Sequence, residues 1–163
     1  MTIKSKIDKN KLGEDNKREM WRWYHNISEC YYHIQITIKY RRGILNDGIE
    51  DIMKDTMRGF KERYAIEIKE VGFDKNHVHM LVQFLPKYSG GEVIRLIKSI
   101  TSREIFKQMP EVKKELWGGE FWTDGYYIST VSPHGTKQGL ENYIKEQGQT
   151  TESSNQLRLF PLD

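Results

Sequence analysis

The 163-residue chain has the length of one compact domain with an arm or a tail. Hydrophobic residues make up 37% and charged residues 30%, which supplies a core and excludes global disorder. The formal net charge is only +3, so a nucleic-acid surface must come from local clustering, and the single cysteine, Cys30, excludes an intrachain disulfide and a cysteine-built zinc site.

Residues 1–28 read as a polar N-terminal arm, Lys-rich to about Arg18, that is either solvated or lies along a phosphate backbone. The arm has no apolar h-region, so it is not a signal peptide. No run in the chain approaches the ~18 apolar residues of a membrane helix. A lone cysteine fits a reducing compartment, and a cytoplasmic setting is expected. At the end of the arm, "MWRWYHNIS" (Met20 to Ser28) places aromatics beside Arg22 and His25, either to cover a core edge or to stack on bases.

Residues 29–149 read as the domain. "CYYHIQITIKY" (Cys30 to Tyr40) alternates as a half-buried strand, with Ile34, Ile36 and Ile38 on one face and His33, Gln35, Thr37 and Lys39 on the other. A helix follows, capped by Asn46 or Asp47, with Ile49, Ile52, Met53 and Met57 at helical spacing. "AIEIKEVGF" and "HVHMLVQF" are two strands joined by the tight turn "DKN", as in a hairpin. A second helix opens at Ser89 and carries the stripe Val93, Leu96, Ile97 and Ile100. "PEVKKELWGGEFW" (Pro110 to Trp122) reads as a turn-rich connection, and "GYYISTV" (Gly125 to Val131) as a fourth strand. A third helix runs from about Thr136 to Gly148. The order β-α-β-β-α-β, then α, predicts an α+β fold. Its sheet is antiparallel and ferredoxin-like (RRM-like), with helices on one face and an added C-terminal helix carrying Tyr143. Residues 150–163 form a tail.

Alternation in "HVHMLVQF" sends Val78, Met80, Val82 and Phe84 to the core and His77, His79, Leu81 and Gln83 to the other face. The two imidazoles stand about 7 Å apart along the strand. They suit convergence on one divalent metal, or hydrogen bonding as surface groups on an open sheet face. On the last helix Tyr143 and Gln147 lie four residues apart and share a face. They offer a phenol and a neutral oxygen ligand, or simply a core residue and a solvated one. Asp74 is a carboxylate in the turn before His77.

The segments "HVHMLV", "KYSGGEVIRLIKSITSREIF", "LWGGEFWTDGYYISTV" and "YIKEQ" together resemble the successive signatures of small HUH transposases. These are the single-tyrosine, TnpA-type enzymes of insertion sequences that move as single-stranded DNA, and the likeness runs from about Cys30 to Gln149. The resemblance implies cutting and rejoining of single-stranded DNA at element ends through a 5′-phosphotyrosine. It also implies recognition of subterminal hairpins, use of Mg²⁺ or Mn²⁺, and a homodimer with composite active sites. By motif position His77 and His79 would be metal ligands, Tyr143 the nucleophile, Gln147 a further ligand and Asp74 an acidic residue near the metal. Two imidazoles and an amide leave the ion's charge largely uncompensated, which suits a phosphate substrate. Rival readings are another HUH endonuclease, such as a replication initiator or relaxase, and a non-catalytic nucleic-acid-binding module using Tyr31 or Tyr32 to stack bases.

Basic side chains at Lys39, Arg41 and Arg42 after the first strand, and at Arg95, Lys98 and Arg103 on the second helix, could hold hairpin phosphates or be ordinary solvated charge. In the tail, "QLRLF" (Gln156 to Phe160) resembles the sliding-clamp-binding peptide of bacteria, with Gln156, Leu157, Leu159 and Phe160 as anchors. The same apolar residues could instead cover a patch of their own dimer.

Overall fold

A computed structural model describes residues 21–23, 25–131 and 158–161. Its main sheet has five strands: β3 (Tyr31–Thr37), β4 (Ile66–Phe73), β5 (His77–Phe84), β6 (Tyr127–Val131) and β7 (Arg158–Pro161). Their spatial order is β6-β3-β5-β4-β7, and every pairing is antiparallel. The first four strands in chain order therefore take the arrangement expected of a split βαβ fold. A separate hairpin of β1 (Trp21–Trp23) and β2 (Asn26–Ser28) precedes them. Its Trp21 is buried with Ala65 and Leu85, and its indole N–H donates to Glu67 at 3.3 Å. This aromatic covers a core edge.

The helices are α1 (Asp47–Arg58), α2 (Phe60–Tyr64), α3 (Gly90–Gln108) and α4 (Pro110–Glu115). Asn46 caps α1 by accepting from the Ile49 N–H at 3.0 Å. Ser89 caps α3 in a capping box closed by Glu92. Gly90 allows that helix to start against β6, since a Cβ there would lie 2.6 Å from Ile128 Cδ1. Two local expectations are corrected. The first helix breaks at Gly59 into α1 and α2, and Ala65 ends α2 in a left-handed conformation. The supposed turn-rich connection contains α4, which Pro110 starts at a position where its missing N–H is harmless.

One sheet face packs under α1 and α3. Ile34, Ile36, Val78, Met80, Val82 and Phe84 from the sheet meet Ile49, Met53, Val93, Ile94 and Ile97 from the helices, all buried. Tyr32 belongs to this side, stacked on Phe84 with ring centroids 4.4 Å apart, so it is not an open base-stacking platform. A bulge at Lys69 keeps β4 in step. Ile66 and Ile68 precede it, Val71 and Phe73 follow it, and the extra residue returns all four to the core face. No helix among the described residues is long and apolar enough to cross a membrane. The expected third helix with Tyr143, the arm before Trp21, and Gln156 and Leu157 lie outside the described residues.

Candidate metal centre

The second sheet face is polar, and its middle too is buried. His79 is 1% exposed, His33 0% and Gln83 1%, so the picture of surface histidines on an open sheet fails for His79, while the His77 side chain stays 20% exposed. Register explains their neighbours. His79 lies between Gln35 on β3 and Gly72 on β4, and His77 lies beside Thr37 at the end of the sheet. Gly72 adds no side chain next to His79.

Burial pushes the His79 imidazole down to about 3, helped by the nearby His77 and His33 rings. Burial alone pushes His33 down to about 4. His77 is lowered by burial too, opposed by Asp74 and reinforced by Arg41. All three rings are thus neutral near pH 7, the form that ligates a metal.

Each motif histidine has its Nδ1 engaged. His77 Nδ1 lies 2.7 Å from Asn76 Oδ1, and His79 Nδ1 lies 3.0 Å from His33 Nε2. Among the described residues, His79 Nε2 is buried without a hydrogen-bond partner. Such an orphaned nitrogen is what an imidazole poised for an ion leaves behind. Asp74 sits at the same end. Its Oδ1 accepts from the Lys75 N–H at 2.6 Å, while Oδ2 is 3.7 Å from His77 Nε2. Among the described residues no three His, Cys, Asp or Glu side chains close on a single point. His77 and His79, with Asp74 near, therefore form a partial donor set. Tyr143 and Gln147 lie outside the described residues. His33 was absent from the expected ligand set. Its only signal in the sequence was membership of the polar face of its strand.

The predicted phosphate-binding cations fall into different surroundings. Lys39 is ion-paired with Glu120. Arg41 and Arg42 are exposed, and an Arg42 N–H donates to the Glu115 carbonyl at 3.3 Å. Arg95 and Arg103 are exposed on α3. Lys98 differs: its ammonium donates to the carbonyls of Thr123, Asp124 and Gly125 at 2.8, 3.1 and 2.8 Å. It lines a groove of about 500 Å³ with Arg95, Ser99, Ser102 and Tyr126, but its three protons tie a loop to a helix.

Two further aromatics join the cations. Trp117 is 85% exposed and Tyr40 62%, and the Tyr40 hydroxyl donates to the Trp117 carbonyl at 3.4 Å. Tyr40 and Arg41 both hold positive φ, 59° and 51°, a strained conformation that concentrates at functional sites. The Ile38 N–H donates to the Asn76 carbonyl, which puts this turn at the His77 end of the sheet.

Comparison with known proteins supplies the family. The model of the IS200-like transposase family matches residues 26–147. The chain is 29% identical over 121 residues to the ISDra2 transposase TnpA of Deinococcus radiodurans, covering 74% of this chain and 86% of that protein. It is 28% identical over 148 residues to the transposase for insertion sequence element IS200 of Salmonella typhimurium, covering 91% and 93%. A crystal structure of a transposase candidate from Deinococcus radiodurans R1 superposes with a TM-score of 0.63 at 26% identity, over 78% of this chain and 98% of that one. The chain belongs to the IS200-like transposase family.

Proposed function

We propose that this transposase cleaves and rejoins single-stranded DNA at the ends of its element, with Tyr143 as nucleophile and a divalent ion, Mg²⁺ or Mn²⁺, held by His77, His79 and Gln147 with Asp74 beside them. The observation that carries this reading is the buried, unpartnered Nε2 of His79 next to His77, on a strand of an IS200-like chain. A tyrosine phenol ionises near pH 10 and is a weak nucleophile at neutrality. The bound ion would draw charge from the scissile phosphate and orient it for in-line attack. Tyr143 loses its phenolic proton, its oxygen bonds to phosphorus, and the 3′-oxygen leaves and takes up a proton. The enzyme retains the 5′-phosphate as a phosphotyrosine, and the reverse attack by a 3′-hydroxyl reseals the strand without ATP.

The substrate is single-stranded DNA folded into subterminal hairpins, met in the cytoplasm. Exposed Arg41, Arg42, Arg95 and Arg103 supply phosphate contacts, with Lys39 at the edge, while Lys98 acts by fixing its loop. Trp117 and Tyr40 offer stacking surfaces to unpaired bases beside the metal end of the sheet. The working unit is a homodimer with composite sites, and the Gln156–Phe160 peptide recruits it to the replication sliding clamp. A clamp pull-down that retains Leu159→Ala, Phe160→Ala as well as wild type removes that last element.

The decisive experiment incubates the protein with labelled oligonucleotides carrying the element ends, with and without Mg²⁺. The expected result is a Mg²⁺-dependent covalent protein–DNA adduct that vanishes in Tyr143→Phe. Cleavage by that variant at the wild-type rate would remove Tyr143 as nucleophile.

A further inference from the structure

His33 lies on β3 opposite Leu81 and diagonally across from His79. Its ring stacks on His79 with centroids 5.2 Å apart and planes within 16°. The edge contact of Tyr127, at 5.7 Å, confines it from the β6 side. The nitrogens His33 Nε2 and His79 Nδ1 are 3.0 Å apart, a hydrogen bond between two neutral rings with one proton in it.

That proton has two homes, and they differ in consequence. If His33 Nε2–H donates, His79 carries its own proton on Nε2. That nitrogen would be a buried donor without an acceptor, unable to ligate. If His79 Nδ1–H donates, Nε2 instead presents a lone pair, which an ion satisfies, and His33 then carries its own proton on Nδ1, a nitrogen that is buried too. The neighbouring ring shows the same design. His77 Nδ1 faces Asn76 Oδ1, an oxygen that only accepts, so His77 bears its lone pair on Nε2.

Resting on the metal reading above, we propose that His33 is a positioning residue for the metal centre. It accepts the His79 Nδ1 proton, fixes the ring plane, and holds His79 in the tautomer whose Nε2 lone pair faces the ion. It touches neither ion nor DNA. Outer partners of this kind set the orientation and basicity of ligating histidines, and their loss lowers metal affinity by about 10- to 100-fold.

The test uses full-length protein with ¹⁵N-labelled histidine. In the metal-free wild type, ring-nitrogen NMR should find His79 protonated on Nδ1. His33→Phe keeps an aromatic ring but removes the acceptor. It should move His79 toward the Nε2–H form and weaken Mn²⁺ binding, read from the EPR signal of free Mn²⁺, by about 10- to 100-fold. His33→Gln, whose amide oxygen accepts, should recover part of that loss. Three results overturn the proposal: wild-type His79 protonated on Nε2, unchanged Mn²⁺ affinity in His33→Phe, or a Mg²⁺-induced shift at His33 Nε2 as large as at His79 Nε2. The last would make His33 a ligand. The wild-type spectrum decides the matter even if His33→Phe fails to fold. A His79→Ala protein that binds Mn²⁺ like wild type would instead sink the metal centre itself, a distinguishable failure.

Discussion

The two faces of β5 are both dry in the middle of the strand, with His77 part-exposed at its end, and they differ in what they bury. On one, Val78, Met80, Val82 and Phe84 sit at 0–2% exposure among other apolar side chains. Each such side chain contributes about 1.5–3 kcal/mol by leaving water. On the other, His79 and Gln83 are at 1% exposure, and His79 keeps a nitrogen with no partner. An unsatisfied buried polar group costs about 1–3 kcal/mol. Residues adjacent in sequence thus pull stability in opposite directions, because strand alternation separates packing from chemistry at single-residue resolution.

Paired substitutions would break that contrast if it is wrong. His79→Ala should reduce strand cleavage by more than the ~100-fold upper range of an outer-partner loss. Its melting temperature should stay close to wild type, as read by calorimetry of the metal-free protein. Met80→Ala should do the reverse. It should lose about 2–5 kcal/mol of stability, at about 2–4 °C per kcal/mol, with adduct yield per folded molecule unchanged. A His79→Ala protein that melts far lower while still cleaving would assign the polar face to structure.

Next in size comes the aromatic turn outside the sheet. Trp117 is exposed and buries little of its side chain on folding. Trp117→Ala should leave the melting curve alone and weaken binding of an unpaired oligonucleotide by about 1–3 kcal/mol. Unchanged affinity in fluorescence anisotropy would take Trp117 off the DNA path.

A further effect is in pH. Burial holds the folded His33 and His79 at about 4 and about 3, against 6.5 for a free imidazole. As pH falls, the unfolded chain takes up these protons first. The stability tied to neutral rings is therefore complete above about pH 6.5 and lost as pH falls toward 4 and 3. Urea midpoints of metal-free protein should be flat above pH 7 and lower at pH 5, with a smaller drop in His33→Phe. A wild-type midpoint equal at both values would mean the histidine face is wet.

Much of the fold is legible because its signals are local. Alternation at Ile34, Ile36 and Ile38 marked a strand, and Asn46 and Ser89 marked helix starts that their side-chain bonds bear out. The motif face of β5 was legible for the same reason. What escaped depends on register and on segments distant in the chain. Nothing in "CYYHIQITIKY" says that His33 lands 3.0 Å from His79, since that follows from pairing β3 with β5 at one offset out of several. Nor could composition show that the Lys98 ammonium meets three carbonyls from residues 25–27 positions later. The short helix α4 was obscured by the Trp-Gly-Gly that follows it.

One strand at the margin of the sheet has one destination in the structure and a second under the clamp proposal. Arg158–Pro161 pairs with Glu70–Phe73 and takes up backbone groups that β4 would otherwise leave open. The same residues hold the second half of the clamp-like peptide. A peptide laid along β4 is not simultaneously free to enter a groove on another protein. Any receptor for it must compete with a tethered site at high local concentration. Its apparent grip on the full chain should be weaker than on the isolated peptide, and each capture would uncover the β4 edge.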